Sequence, residues 1–167
     1  VIGKVHHAKD IQKADFDYLK TQVSAGHTPK DTIPSPTMLH FRGGRDAIDA
    51  AAYPDLEDFY ADLAAAYRAE IASLAEAGCR YLQLDDTNLA YLCDDTQRAN
   101  ARVRGMDPDA LPRLYADIIN QSIRDRPDDM VVCVHLCRGN FRSSWAAEGG
   151  YEPVAEVLFN ALDVDGY

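Results

Sequence analysis

The chain has 167 residues, of which 47% are hydrophobic and 26% are charged, and its formal net charge at neutral pH is −10. Such an acidic chain is poorly suited to neutralising phosphates, so we expect no nucleic acid partner. No apolar run approaches the roughly 20 residues of a membrane helix, and four cysteines are too few for a disulfide scaffold, so we expect a cytoplasmic protein without membrane contact.

The predicted elements alternate between strands and helices along the whole chain. Apolar residues recur at helical spacing in the helices predicted over 54–77 and 108–124 and from about 153, and the strand predicted over 130–137 reads as a buried apolar run. Pro34 and Pro36 interrupt the second strand, which therefore opens into a loop. The elements are a strand over 1–5, a helix over 15–23, a short strand within 32–41, a helix over 54–77, a strand over 79–86, a helix over 108–124, a strand over 130–137, a helix from about 153, and the opening of a strand over 163–167.

This order predicts an α/β protein with a parallel sheet and helical crossovers. We expect a partial (β/α)8 TIM barrel, forming a single incomplete barrel domain over 1–167 that is truncated at both ends, because a closed barrel needs roughly 250 residues. An open doubly wound sheet is the alternative, but the chain has no glycine-rich turn for a dinucleotide phosphate. An exposed parallel edge would favour self-association, such as a homodimer.

A candidate metal site lies at the end of the strand predicted over 130–137. His135 and Cys137 are two residues apart, so both side chains point the same way from an extended strand. Imidazole and thiolate are zinc ligands, and active sites of such barrels lie at the carboxyl ends of the strands. The alternative is a packed histidine beside a buried thiol. Cys133 points to the same side of the strand but should sit lower in the barrel, where we expect it to be a core residue.

Polar residues also follow the strand predicted over 79–86. Gln83 and Asp85 would point to the barrel interior, where they are costly to bury unless a partner binds them. Asp85 is a candidate catalytic residue that would hold a substrate ammonium or a ring N–H. Asp86 and Asn88 are further candidates for substrate binding, and the alternative for this stretch is a helix cap made by Asp86, Thr87 or Asn88.

The loop that contains Pro34 and Pro36 supplies hydroxyls and arginines. Ser35 and Thr37 are candidate substrate-binding residues, and Arg42 and Arg45 could form an anion site. An ordinary turn with solvated arginines is the alternative. Arg138, next to the predicted metal site, is the better candidate for a substrate carboxylate.

Four segments together resemble the methionine synthase II family, and more closely the short, single-barrel relatives of cobalamin-independent methionine synthase. They are SPTMLHFRGGR, AGCRYLQLDDTNLAYLCD, HLCRGNFRSSW and GGYEPVAEVLFNALDVDGY, and the likeness covers about residues 31–167. The resemblance implies a TIM barrel of the uroporphyrinogen decarboxylase and methionine synthase superfamily, and a cytoplasmic enzyme of methionine biosynthesis.

The resemblance also implies a reaction, a cofactor and roles for residues. A zinc-dependent methyltransferase would transfer a methyl group, by default from 5-methyltetrahydrofolate, to the thiol of homocysteine to make methionine. His135 and Cys137 match the first two zinc ligands, and the remaining ligands are expected beyond residue 167. Asp85 matches the acidic residue that contacts the amino acid and the folate. Residues 85–88 read DDTN where full-length synthases have DEP, and the stretch after Cys137 also differs, so the donor stays open.

Two other functions remain open. One is a metal-free decarboxylase-type barrel enzyme that uses Asp85 and arginines on an anionic metabolite, and the other is a non-catalytic fragment. Because two protein ligands rarely hold zinc tightly, we expect the 167-residue chain alone to be inactive and poorly metallated. The expected partners are small molecules, namely homocysteine or a similar thiol and a methyl donor.

Overall fold

A parallel sheet forms the centre of the computed structural model, which describes residues 1–140 and 142–167. Within these residues the sheet has three strands in the order β1 (Asp31–Pro34), β2 (Tyr81–Asp85) and β3 (Val131–His135). Pro34 is in register with Asp85, and Asp85 with His135. The three strands therefore end at the same level, and the loops that follow them meet at one edge.

Helices connect the strands, and the two longest pack against each other and the sheet. They are α1 (Lys13–Gln22), α2 (Met38–Phe41), α3 (Leu56–Glu76), α4 (Asn88–Tyr91), α5 (Asp95–Val103), α6 (Leu111–Ile123) and α7 (Glu152–Ala161), with a 3-10 turn at Gly44–Ala47. Helix α3 packs on α6, and α6 packs on α7. Within the described part of the chain, no helix has both the length and the apolar character needed to cross a membrane.

The two faces of the sheet differ in burial. Every second side chain along the strands points toward the helices and is buried. These side chains are Ile33, Leu82, Leu84, Val132 and Val134. Each such apolar side chain contributes about 1.5–3 kcal/mol when it leaves water. The opposite face, which we call the open face, carries the intervening residues, and these are half-buried or exposed.

The helix ends explain where the predicted bounds were right or wrong. The Asp55 side chain accepts a hydrogen bond from the Glu57 N–H (3.0 Å), so α3 begins just after Pro54, and Gly78 ends it in the left-handed region (φ +94°), as predicted. Helix α6 begins three residues later than predicted. Asp107 instead accepts from the Asp109 N–H (3.0 Å) and closes a turn ahead of the helix.

The strand predicted at the beginning of the chain is absent, whereas the strand predicted at the end is present. The strand predicted over 1–5 is wrong, because this segment crosses to the helices, where the Val5 N–H donates to Tyr53 Oη (2.6 Å). At the other end, Gly166 forms a parallel bridge with Cys133, so the chain rejoins the sheet beside β3 as predicted. The alternation of parallel strands and helices is confirmed. It is consistent with part of a TIM barrel, although the described residues do not form a closed one.

Candidate functional site

The carboxyl edge of the sheet brings the predicted site residues together from three separate segments. The strand ladder continues one residue past β1 and β2, since the Ser35 N–H donates to the Asp85 carbonyl (2.9 Å) and the Asp86 N–H donates to the His135 carbonyl (3.0 Å). These bonds fix the loops after β1, β2 and β3 at one level. Parallel strands place such loops at a common edge, where the active sites of α/β barrels lie.

Four candidate substrate-binding residues form a closed group that we call the buried polar cluster: Ser35, Thr37, Asp86 and Asn88, each with 0% exposure. Thr37 Oγ1 donates to Asp86 Oδ2 (2.7 Å) and accepts from Asn88 Nδ2 (2.6 Å), and it lies 3.2 Å from Ser35 Oγ. Asp86 Oδ1 also accepts the N–H groups of Asn88 (2.8 Å) and Leu89 (3.0 Å). Asp86 therefore caps the start of α4, which was the alternative for this stretch. A direct contact between these four residues and a substrate stays a prediction.

Two further candidates, both in β2, lie on the open face. Gln83 and Asp85 are half-buried, and Gln83 Nε2 donates to Asp85 Oδ1 (2.6 Å). The Lys30 ammonium in turn donates to Gln83 Oε1 (2.6 Å). Asp85 Oδ2 accepts no hydrogen bond within residues 1–140 and 142–167, so this carboxylate keeps one oxygen for a further partner.

The predicted metal ligands lie at the end of β3. His135 is the last residue of the strand, is exposed, and is in register with Asp85 on the open face. Cys137 lies beyond the strand and is half-buried. Cys133 lies on the same face as His135, as predicted, but it is half-buried where full burial was expected.

The side chains at the end of β3 meet the requirements of a zinc site only in part. An imidazole and a thiol suit zinc, but a zinc site normally uses three or four protein ligands. The described part of the chain contains no group of three or more His, Cys, Asp or Glu side chains that could hold a metal ion. His135 and Cys137 are therefore at most two ligands of an incomplete set.

A cavity of about 530 Å³ lies beside Cys137. Its lining is formed mainly by the loop after β3, namely Cys137, Arg138, Gly139, Asn140, Ser143, Ser144, Trp145 and Tyr151. The Arg138 guanidinium lies 5.6 Å from the centroid of the Tyr151 ring, and Tyr151 Oη donates to the Leu136 carbonyl (2.8 Å). No carboxylate within 4.0 Å pairs with Arg138 in the described residues. The candidate for a substrate carboxylate thus lies in a cavity next to a predicted metal ligand.

Backbone contacts fix the shape of this cavity. The Arg138 carbonyl accepts the N–H groups of Ala146 (2.9 Å) and Ala147 (3.2 Å), which closes the loop. Gly139 has φ +76°, and a Cβ there would lie 2.5 Å from Tyr91 Oη. Sequence reasoning did not identify Trp145, Tyr151 or Tyr91 as part of the site. The glycine directly after Arg138 was the available signal, since it indicates a close approach.

The loop after β1 also carries a histidine for which we predicted no role. His40 is buried, with Nδ1 3.0 Å from Tyr115 Oη and Nε2 3.2 Å from Tyr60 Oη. Burial lowers the pKa of His40 from 6.5 to about 4 and raises the pKa of Tyr60 to about 12, so both groups are uncharged at neutral pH. Arg45, a candidate for an anion site, instead donates to the Tyr53 carbonyl (2.6 Å). This part of the loop is tied to the protein interior.

Comparisons with known proteins agree with the resemblance noted in the sequence. No protein-family model matches the chain. It is 45% identical over 166 residues to the uncharacterised protein YxjH of Bacillus subtilis and 41% identical over 167 residues to YxjG of the same organism. Each match covers 99% of this chain but 43% of the relative, so the chain spans less than half the length of these curated relatives.

A solved structure is similar over the same extent. It is a crystal structure from Listeria monocytogenes of a protein with the provisional name of vitamin-B12-independent methionine synthase. The TM-score is 0.81 at 42% sequence identity, over 99% of this chain and 46% of that one. The chain therefore shares its fold with a stretch of that protein.

Proposed function

We propose that the chain is part of a zinc-dependent methyltransferase that transfers a methyl group from 5-methyltetrahydrofolate to the thiol of homocysteine. One observation carries the proposal: Asp85 and His135 are in register on the open face, and Cys137 follows at a cavity. The similarity to the Listeria protein, with its provisional name of methionine synthase, supports it.

We assign the zinc to His135 and Cys137, together with ligands from outside these 167 residues. Zinc, when bound, lowers the pKa of an incoming thiol and so supplies a nucleophilic sulfur. Asp85 would bind the ammonium group of the amino acid through its unpaired Oδ2, while Gln83 holds its other oxygen. Arg138 would bind a substrate carboxylate in a charge-assisted pair.

The buried polar cluster has a different proposed role. Four residues of this cluster are inaccessible to a substrate, namely Ser35, Thr37, Asp86 and Asn88. They would therefore affect substrate binding only by holding the backbone of the two loops in position. Their hydrogen bonds join the loops after β1 and β2 and thereby fix the level at which Asp85 meets its ligand. Such positioning brings the sulfur and the methyl carbon into line, which is a large part of the catalysis of group transfer.

The test uses a chimera in which the whole 167-residue chain replaces the matching stretch of YxjH. The chimera is needed because two ligands alone would hold zinc weakly. We expect the chimera to bind about one zinc ion per chain and to convert homocysteine to methionine. His135→Ala and Cys137→Ser should each remove both properties. Asp95→Ala, an exposed carboxylate in α5, is the control and should change neither.

Three results would contradict the proposal: full activity in either ligand variant, full activity after the metal is removed by a chelator, or no methylation by a folded, zinc-loaded chimera. A folded chimera that contains no zinc and does not methylate homocysteine would instead favour a metal-free decarboxylase-type barrel enzyme. For the 167-residue chain alone we expect weak zinc binding and no turnover.

A further inference from the structure

Lys30 lies directly ahead of β1 on the open face and reaches across to β2. Because Asp31 is in register with Leu82, Lys30 lies beside Tyr81, and its ammonium is 5.4 Å from the centroid of the Tyr81 ring. A cation at this distance is attracted by the face of an aromatic ring, which holds the Lys30 ammonium close to the sheet. Lys30 is exposed and forms no ion pair within residues 1–140 and 142–167, so its charge is not used for a surface salt bridge.

Two hydrogen bonds connect Lys30 to Asp85 through the side-chain amide of Gln83. The Lys30 ammonium donates to Gln83 Oε1 (2.6 Å), and Gln83 Nε2 donates to Asp85 Oδ1 (2.6 Å). An amide can turn either its oxygen or its nitrogen toward a neighbour, but an ammonium has donors only. Lys30 therefore keeps the Gln83 oxygen on its own side and directs the NH2 group toward Asp85.

The direction of these bonds decides what Asp85 can bind. One carboxylate oxygen, Oδ1, is held by the Gln83 NH2 group, and Oδ2 accepts no hydrogen bond within the described residues. With the amide reversed, its oxygen would face Oδ1, and two acceptors with no hydrogen between them repel each other. Because an ionised carboxylate only accepts hydrogen bonds, Oδ2 is suited to a donor, and a cationic amine makes the stronger, charge-assisted bond.

We propose that Lys30 is a positioning residue that makes the Asp85 site selective for a substrate with a cationic amino group. Lys30 acts through the Gln83 amide and does not touch the substrate. That the substrate is homocysteine rests on the proposed methyltransferase function, whereas the control of the Gln83 amide by Lys30 does not.

The first measurement follows the Gln83 amide by NMR in the 167-residue chain, with ¹⁵N-labelled glutamine and without metal or substrate. Gln83→Leu, which lacks the amide, identifies the signal. Lys30→Met and Lys30→Glu should each shift the Gln83 NH2 signal and speed its exchange with water, because the amide is then free to turn away from Asp85. Lys30→Arg keeps the donors and should preserve the signal. Lys9→Met, at an exposed lysine ahead of α1, is the control and should leave the signal unchanged.

The second measurement compares two ligands of the YxjH chimera by calorimetry in the absence of a methyl donor. They are homocysteine and 4-mercaptobutyrate, which is homocysteine without its amino group. We expect the parent chimera to bind homocysteine at least about 10-fold more tightly. Lys30→Met should reduce this ratio by about 3- to 10-fold and Lys30→Glu by about 10- to 100-fold, whereas Lys30→Arg and Lys9→Met should keep it. A purely structural role for Lys30 would change the binding of both ligands equally and leave the ratio as it is.

The inference is overturned if Lys30→Met keeps the Gln83 signal of the parent chain, if the two ligands bind the parent chimera equally well, or if Lys30→Met keeps the parent ratio. These outcomes are separate from those of the methylation assay. Loss of amine selectivity in Lys30→Met, in a zinc-loaded chimera that does not methylate homocysteine, would contradict only the proposed function. Methylation by a chimera whose amine selectivity is independent of Lys30 would contradict only this inference.

Discussion

The loops after β2 and β3 begin at the same edge of the sheet but use their polar residues in opposite ways. After β2, the Asp86 carboxylate accepts the Asn88 N–H, the side chains of Asp86 and Asn88 both bond to Thr37 Oγ1, and all three residues are sealed from solvent. After β3, Arg138 and Trp145 face a cavity and remain without such partners in the described residues. We call these two regions the closed end and the open end.

The difference shows that the number of polar residues does not define a binding site. At the closed end most of the hydrogen-bonding capacity is used inside the protein, with Asn88 Oδ1 left over, so these residues hold the loops in place. At the open end the capacity is left for a ligand. Substitutions at the closed end should therefore change stability, and those at the open end should change binding.

The largest effect is expected for Asp86→Ala. The substitution leaves the Thr37 hydroxyl and two backbone N–H groups without an acceptor in a buried place, which should lower the free energy of unfolding by about 3–5 kcal/mol. Asp85→Ala, on the open face, is the matched control and should cost less than about 1 kcal/mol. Urea unfolding measures both. Equal losses would show that the closed end is not specially stabilised.

His40, at this edge of the sheet, should contribute to the pH dependence of stability. The pKa of His40 is about 4 in the folded chain and 6.5 when unfolded, so between these values the unfolded chain binds more protons. Stability should therefore be full above pH 6.5 and fall by about 3 kcal/mol as the pH drops to 4.

The His40→Gln variant should lose this part of the pH dependence, because the amide can still bond the Tyr60 and Tyr115 hydroxyls without titrating. The measurement is urea unfolding at several pH values. His27→Gln, at an exposed histidine, is the control and should keep the parent slope. A His40→Gln variant with the parent slope would rule out this source of acid sensitivity.

Gly139→Ala, in the loop of the open end, should lower the free energy of unfolding by a smaller amount. Its φ of +76° strains any side chain, and the new Cβ would lie 2.5 Å from Tyr91 Oη, so we expect a loss of about 1–3 kcal/mol. Gly105 has almost the same φ (+75°) and nothing within 4 Å of a built Cβ. Gly105→Ala thus measures the strain alone. If thermal unfolding gives the same loss for both, the contact with Tyr91 does not shape the loop.

The smallest change in stability is expected for His135→Ala. The side chain is exposed and makes no hydrogen bond to the described residues, so the free energy of unfolding should change by no more than about 0.5 kcal/mol. Weak zinc binding by the chain should nevertheless be lost, as measured by competition with a chromophoric chelator. A large loss of stability would mean that this histidine belongs with the closed end.

The sequence predicted those elements whose stability comes from apolar burial. The runs around Leu82, Leu84, Val132 and Val134 and the helical spacing in α3 and α6 all correspond to buried faces. Helix α5 was missed because it buries a single residue, Ala101, and is instead stabilised by the Asp94 side chain, which accepts from the Gln97 N–H (2.8 Å). A polar helix of this kind has too few apolar residues to be detected from an apolar pattern.

The site was predictable only in part, for a related reason. Local spacing correctly placed Asp85 and His135 on one face, since strand geometry is local. Whether Thr37 and Asp86 bind a ligand or each other depends on a contact between residues 49 positions apart. Nothing in either segment alone distinguishes a hydroxyl that awaits a substrate from one that already has a buried partner.

The double hydrogen bond to the Arg138 carbonyl has a consequence for how this protein can diverge. It anchors the base of the loop through main-chain atoms, while Asn140, Ser143, Ser144 and Trp145 at the tip are exposed or line the cavity. Replacements at the tip that tolerate the local backbone, which is left-handed at Ser143, can therefore change the preferred small molecule while the anchor is kept. Ligand choice and structural integrity become separately variable traits, which makes this loop the natural place to begin a library for altered specificity.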